Sequence, residues 1–229
     1  MLAFRFSMPL LDESIRPRAA VFDVRAAPVR TDLHDDYWPS LAEQTGRTTA
    51  VVWGGNQHNV SLLLTDEPLT VVSPHADATP VVRGRVVPYR MVMTLWESSL
   101  EGLRDFVTTH PDPASVIVVG TPPPKPDAQV RAGIAVEPHF VDLLAAAGFT
   151  PRTAPVTDTA TRVASWDALQ DAMREIATAV GAGWMGVPDA ARTDEGTLRP
   201  EYCEADATHA NPAYGLLMWR HLIDHVEAG

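Results

Sequence analysis

The chain has 229 residues, and 45% of them are hydrophobic, which is enough for the core of one α/β domain. Its formal charge of −11 comes from 29 acidic and 18 basic side chains, which argues against the basic face that nucleic acids and anionic membranes require. The composition therefore predicts a small-molecule ligand, with no nucleic-acid and no membrane partner.

Cysteine content and the first residues indicate the compartment. Cys203 is the only cysteine, so neither an intrachain disulfide nor a cysteine cluster for a metal can form. The apolar start, residues 1–11, is short, contains Arg5 and is followed by Asp12 and Glu13, unlike a secretory signal. No apolar run approaches the roughly 20 residues of a membrane span. We therefore expect a cytoplasmic protein.

The pattern along the chain indicates an N-terminal arm and one domain. The first part mixes prolines with a short predicted strand at 21–24 and a helical patch at 36–44. From Thr48 onward, short β-rich runs alternate with longer helical stretches, which is typical of parallel strands joined by crossover helices. We predict an arm at 1–46 packed on an α/β domain at 47–229.

Five strands are predicted, each short and bounded by glycine, proline or aspartate. They cover 49–53, 69–73, 115–120, a weaker segment at 153–156, and 184–187. Four prolines within 122–126 predict an extended loop after the third strand, because proline disfavours helix before it.

Three helices are predicted from apolar residues at three- and four-residue spacing. The stripe of the first helix is formed by Val92, Trp96, Leu100, Leu103 and Val107. The second helix is predicted to begin at Ser165 as N-cap and to stop at Gly181 and Gly183. The third has Asn211 as N-cap and Pro212 at its first position. Its inward-facing residues are predicted to be Leu217, Met218, Leu222 and Val226.

The loop before the last helix carries Asp206 and His209. An aspartate three residues before a histidine on a tight loop can place its carboxylate against one ring nitrogen, which fixes the tautomer and makes the other nitrogen a base. The alternative is a solvated loop with a helix cap, because a four-residue pattern of this kind often occurs by chance.

Residues 202–215, together with the strand at 115–120 that opens into Thr121-Pro122-Pro123-Pro124, resemble the SGNH/GDSL hydrolase superfamily. The resemblance covers about residues 48–226. It implies a three-layer α/β/α, flavodoxin-like fold with a parallel sheet and helices on both faces. It also implies that Asp206 and His209 are the acid and base of a catalytic triad.

The family's nucleophile is the serine of a Gly-Asp-Ser turn after the first strand. The matching segment here is Gly55-Asn56-Gln57-His58, which places Gln57 at the serine position, or Asn56 in the alternative register. Neither amide is a competent acyl nucleophile. The family's Gly-x-Asn-Asp oxyanion block is also missing between residues 60 and 206, and Gly84 is a weak candidate for the separate glycine that the family contributes to the oxyanion site.

The turn after the first strand offers a second interpretation. Gly55, Asn56, Gln57, His58 and Asn59 form a dense polar cluster, placed where open α/β sheets bind ligands. They can bind a substrate or its developing oxyanion, and His58 can serve as a second acid or base. The alternative is that Asn56 caps a helix and the other side chains are exposed.

Other reactive residues are weaker candidates. The Cys203 thiol can approach His209, although a lone cysteine is more often a small buried hydrophobe. The potential metal ligands are His58, His75, Asp77, Asp206 and His209. They have no dedicated ligand spacing, so we predict no metal and no cofactor. Five other histidines are predicted to be solvated surface: His34, His110, His139, His221 and His225.

The sequence leaves three functions open. The first is an SGNH/GDSL-like hydrolase or acyltransferase that acts on an acyl ester, an acylated small molecule or an acylated sugar, with His209 activating water or an acceptor hydroxyl. The second is a catalytically inactive binding module for a glycan or an acylated ligand. The third is a divergent biosynthetic enzyme on the same fold.

Overall fold

The structure is a computed structural model that describes Leu10 and residues 46–54, 62–65, 67–76 and 81–228. Its strands are β1 (Thr49–Val52), β2 (Leu69–Val71), β3 (Arg85–Val87), β4 (Val116–Val119) and β5 (Gly183–Met185). Its helices are α1 (Tyr89–Glu97), α2 (Glu101–Thr109), α3 (Asp127–Val136), α4 (Pro138–Ala146), α5 (Thr159–Ala179) and α6 (Pro212–Ala228).

All strand pairs in the described sheets are parallel. One sheet has three strands in the order β1-β4-β5, with Val51 opposite Val118 and Val118 opposite Trp184. The other sheet pairs β2 with β3. The protein is therefore a mixed α/β structure with parallel sheets, as the alternation of strands and helices predicts.

Both faces of the central strand β4 are buried under helices. Successive strand residues point to opposite faces. Val116 and Val118 belong to a cluster with buried residues of α1, α2 and α5. Ile117 and Val119 belong to a second cluster, with Met185 of β5 and the apolar side of α6. A continuous β-branched run buried on both sides is expected for a parallel strand.

Four of the five predicted strands are confirmed as β1, β2, β4 and β5, each one or two residues shorter than expected. The strand expected at 153–156 is wrong, since only Val156 pairs there, in a single antiparallel bridge with Leu64. The predicted stripe from Val92 to Val107 is confirmed as buried, but a 3-10 turn at Ser98–Leu100 divides it between α1 and α2.

The helix ends test the capping predictions. Asn211 caps α6 as predicted, because its Oδ1 accepts hydrogen bonds from the backbone N–H groups of Ala213 at 3.0 Å and Tyr214 at 3.2 Å. Ser165 is not a cap and lies buried inside α5. The cap of α5 is Asp158, whose Oδ1 accepts from Thr161 N at 3.0 Å. Residues 159–164 carry no clear apolar stripe, which is why the sequence pattern starts too late.

Three elements of the structure were not predicted, and two side chains differ from the prediction in their exposure to solvent. β3, α3 and α4 were not predicted; α3 and α4 enclose a small third cluster with Val130, Ile134 and Leu144. Val226, predicted to face inward, is 40% exposed in the last turns of α6. His110, predicted at the surface, is buried, and its Nδ1 lies 2.9 Å from Asp112 O and 3.2 Å from Asp112 N.

Two further predictions concern the N-terminal arm and membrane-spanning helices. The arm at 1–46, with its predicted strand at 21–24 and helix at 36–44, lies almost entirely outside the described residues. Among the helices that the structure describes, none combines the length and apolarity needed to cross a membrane.

Candidate active site

The candidate site is built on a closed loop, residues 203–210, which we call the dyad loop. Its ends pair through an antiparallel bridge between Cys203 and Ala210. Glu204 N donates to His209 O at 3.0 Å, which adds a second cross-link near the same end. The loop follows a 3-10 turn at Pro200–Tyr202 and leads directly into α6. These bonds fix the spacing between the two polar side chains that the loop carries.

Asp206 and His209 are in contact as the D-x-x-H spacing predicts. His209 Nδ1 lies 2.7 Å from Asp206 Oδ2, and an ionised carboxylate can only accept, so Nδ1 carries the proton. The other oxygen, Asp206 Oδ1, accepts backbone N–H bonds from His209 at 2.7 Å and Thr208 at 2.9 Å. Both carboxylate oxygens are therefore held, while the catalytic roles of the two residues stay predictions.

The surroundings of Asp206 keep it ionised. Burial alone would raise the pKa of its carboxyl, but the side-chain bond from His209 and the backbone bonds from His209 and Thr208 outweigh burial and hold the pKa well below its usual range. The Asp206 side chain is 24% exposed and that of His209 is 42% exposed. The Asp206 carboxylate is therefore negatively charged and contacts the His209 ring, which is partly exposed at the surface.

Lys125 is the residue of this site that the sequence analysis missed. It lies in the loop of residues 121–126, the proline loop, and its side chain is only 1% exposed. Its Nζ donates to Asp206 O at 2.6 Å, to Glu204 O at 2.8 Å and to Asp206 Oδ1 at 3.3 Å. A lysine is almost never fully buried unless it is paired. Lys125 therefore fixes the dyad loop to the carboxyl end of β4.

Arg162 is a second buried cation, and it binds the backbone of Lys125. Arg162 of α5 donates through Nη1 to Lys125 O at 2.7 Å and through Nε to Thr157 O at 2.9 Å. Burial lowers the pKa of Arg162, and the nearby charge of Asp127 counteracts that shift. The proline loop is thus held from α5 while it holds the dyad loop. Proline enrichment marks this loop in the sequence, but no local pattern marks Arg162.

Helix α3 packs closely against the dyad loop. A Cβ atom at Gly133 would collide with the backbone of Asp206 and Ala207, so only glycine allows this approach. Ala207 N also donates to Glu137 Oε2 at 3.3 Å. Gly133 therefore allows α3 to approach the backbone of the dyad loop closely.

The predicted substrate-binding turn lies outside the described residues. Gly55, Asn56, Gln57, His58 and Asn59 all fall within 55–60, where the structure gives no description. The chain can be followed to Gly54, just past the carboxyl end of β1. Because β1 and β4 are parallel and adjacent, that end lies at the same sheet edge as the start of the proline loop.

The surroundings of Gly84 and Cys203 argue against the roles that the sequence suggested for them, an oxyanion donor and a nucleophile. Gly84 has a positive φ of 65° and a Cβ there would collide with Pro68 O, so it serves the tight approach of β3 to β2 and not an oxyanion. Burial raises the pKa of Cys203 to about 11, and its Sγ lies 3.6 Å from Arg199 O. A thiol with that pKa is a poor nucleophile at neutral pH.

The proposed metal ligands do not form one group in the described structure. His58 and Asp77 lie outside the described residues. His75 pairs with Asp171 at 2.7 Å, and His209 pairs with Asp206. Within the described ranges, no cluster of three or more histidine, cysteine or acidic side chains could hold a metal ion.

Side chains of α5 form hydrogen bonds with residues that directly follow β4 and β2, at the carboxyl ends of these strands. On one side, Gln170 Nε2 donates to Thr121 Oγ1 at 2.7 Å and Trp166 Nε1 donates to Thr121 O at 3.0 Å, directly after β4. One residue further around the helix, Asp167 Oδ2 accepts from Ser73 Oγ at 2.9 Å, just after β2. The ends of β2 and β4 therefore lie at similar height along α5.

Chemically, an imidazole that a carboxylate holds through Nδ1 can accept a proton on Nε2 and return it. Parallel α/β sheets commonly bind ligands at this edge. Comparison with protein-family models, curated proteins and solved structures gives no significant match, so the chemistry of the site must be argued from its geometry.

Proposed function

We propose that the chain is an SGNH/GDSL-like hydrolase or acyltransferase that acts on an acyl ester of a small molecule or sugar, with His209 as base and Asp206 as its partner. The observation that carries the proposal is the 2.7 Å contact between His209 Nδ1 and Asp206 Oδ2 on a surface-reaching ring. Lys125, which is 1% exposed, holds this pair in place through its bonds to Asp206 O and Glu204 O.

The proposal includes the three-layer, flavodoxin-like fold. It is supported by the parallel order β1-β4-β5, by helices on both faces of β4, and by the D-x-x-H loop that leads into the last described helix. The single cysteine, which permits no intrachain disulfide, agrees with a cytoplasmic setting.

In the proposed reaction, His209 Nε2 takes a proton from water or from an acceptor hydroxyl. The oxygen attacks the acyl carbonyl carbon, the ester C–O bond breaks, and the imidazolium returns the proton to the departing alkoxide. A direct attack is proposed because Gln57 or Asn56 occupies the serine position of the family motif. Asn56, Gln57 and His58 would donate to the carbonyl oxygen as it becomes negative.

The test uses purified protein with p-nitrophenyl acyl esters of two to eight carbons and with acetylated sugars. We expect turnover that falls by about 100-fold or more in His209→Ala, since general base catalysis typically contributes that much. His225→Ala, which changes an exposed histidine of α6, is the matched control and should keep full activity. Equal rates in wild type and His209→Ala would refute the proposal.

A binding module is the second candidate, and Gln57 at the serine position is what favours it. This alternative predicts no turnover, no labelling by fluorophosphonate probes, and saturable thermal stabilisation by an acylated sugar. Gln57→Ser separates the candidates further. Esterase activity that appears only in that variant would identify the natural protein as a silent relative of the enzyme.

A further inference from the structure

Arg192 is a half-buried cation at the carboxyl end of β5. It follows the 3-10 turn Asp189–Ala191, and its guanidinium carbon lies 5.1 Å from the ring centroid of Trp166. On another side, Nη2 lies 3.3 Å from the Cβ that a side chain at residue 196 would carry, where Gly196 has a φ of 80°. The guanidinium is therefore held between an indole ring and a bare stretch of backbone.

This guanidinium has no anionic partner among the described residues. Within the described ranges, no carboxylate lies within 4.0 Å of it, although Asp194 and Glu195 follow in the same loop, and none of its N–H groups makes a hydrogen bond there. Its Nε is buried and has no hydrogen-bond partner in the part of the chain that the structure describes. A shielded cationic donor without an acceptor is costly, so a chain of net charge −11 would be expected to pair it.

Asp167, whose carboxyl interacts electrostatically with Arg192, is hydrogen-bonded to another residue. Asp167 Oδ2 accepts from Ser73 Oγ at 2.9 Å. Burial raises the pKa of Asp167, while the Ser73 bond and the charges of His75 and Arg192 counteract the shift. Asp167 is thus positioned toward β2 and leaves the guanidinium donors of Arg192 open.

Arg192 and the dyad loop are anchored on the same segment of backbone. Arg192 pairs with Leu198 in an antiparallel bridge, and Leu198 N donates to Pro124 O at 2.8 Å. The next residue, Lys125, binds Asp206. One short loop therefore connects the cation to the candidate base at one edge of the sheet.

We propose that Arg192, supported by Trp166, binds an anionic group of the substrate, either a carboxylate or a phosphate, so that the preferred substrate is an anionic acyl ester. The inference rests on the proposed function above. A guanidinium presents a planar fork of donors that matches either oxyanion with two parallel hydrogen bonds. Stacking on Trp166 fixes the plane of that fork before the ligand arrives.

The kinetic test compares the p-nitrophenyl monoester of succinic acid with p-nitrophenyl butyrate, which has a similar length and no charge. Arg192→Gln should raise KM for the succinyl ester by about 10- to 100-fold with kcat nearly unchanged, and should leave the butyrate KM unaltered. Arg192→Lys should recover only part of the loss. Arg220→Gln, at an exposed position on α6, is the control. Equal effects on both esters would overturn the proposal.

A binding test keeps the inference independent of turnover. In His209→Ala protein, inorganic phosphate and monomethyl succinate are titrated separately by calorimetry. The ligand that binds more tightly shows whether Arg192 prefers a phosphate or a carboxylate. We expect saturable binding that is lost in His209→Ala/Arg192→Gln. No binding of either anion up to 10 mM overturns the subsite, whereas binding without turnover in wild type refutes only the proposed catalysis.

Discussion

Replacing Lys125 by methionine tests whether a buried lysine holds the candidate site in place. Methionine has a similar length and no charge, so it fills the space while removing the donors. Asp206 O and Glu204 O lose bonds of 2.6 and 2.8 Å, and Asp206 Oδ1 loses a contact of 3.3 Å. The perturbation is therefore confined to the junction of the proline loop and the dyad loop.

The expected loss of stability follows from those contacts. Removing one partner of a buried ion pair typically costs about 3–5 kcal/mol, and each buried carbonyl left unpaired costs about 1–3 kcal/mol. Asp206 is partly exposed and can be rehydrated, and methionine avoids the cost of burying an ammonium group. We therefore expect the free energy of unfolding to fall by about 3 kcal/mol.

Urea denaturation at pH 7 measures this loss. The matched control is Arg131→Met, because Arg131 Nε pairs with Asp127 Oδ2 at 2.8 Å while their side chains are 40% and 47% exposed. That exposed pair should contribute less than about 1 kcal/mol. A Lys125→Met protein within about 0.5 kcal/mol of wild type would show that Lys125 does not fix the dyad loop.

Three further predictions follow from the same site. Because the pKa of Asp206 lies below its usual value in the folded protein, its stabilising effect is complete above the unfolded pKa of about 3.9 and is lost as pH falls. The gap in urea stability between wild type and Asp206→Asn should thus shrink by roughly 1 kcal/mol from pH 6 to pH 3, and a constant gap would contradict the argument. Burial raises the pKa of Cys203 to about 11, so iodoacetamide at pH 8 should alkylate it about 100-fold more slowly in the native than in the urea-unfolded protein; similar rates would show an accessible thiolate. Gly133→Ala should cost more than about 2 kcal/mol in thermal or urea unfolding, because its Cβ meets the backbone of the dyad loop, whereas Gly186→Ala meets only an ordinary contact at 3.7 Å and should cost less than about 1 kcal/mol. A mild effect at Gly133 would mean that the loop can move away from α3.

Local sequence patterns predicted the parts of this structure whose causes are local. β4 is a run of β-branched residues between glycine, proline and serine signals, and it is confirmed at its predicted place. Asn211 and Pro212 are a cap and a first-turn residue by their own chemistry. The contact between Asp206 and His209 follows from three-residue spacing on a tight loop. In each case the partners lie within a few residues of one another.

The missed features depend on partners that are distant in the chain. Lys125 and Asp206 are 81 residues apart, and nothing near Lys125 indicates that its ammonium group is buried. Gly133 looks like a weak point in a helix until the dyad loop is placed against it. β3 is exposed over two of its three residues, so it lacks the apolar alternation by which strands are predicted. Tertiary packing, which sequence periodicity does not encode, decides all three.

The most direct test of the central claim is a double-mutant cycle on kcat/KM for the best acyl ester. The account predicts that His209→Ala lowers kcat/KM by about 100- to 10,000-fold and that Asp206→Asn costs nothing more in that background, because the two residues act as one unit. Losses that multiply, or a His209→Ala protein as active as wild type, would contradict it.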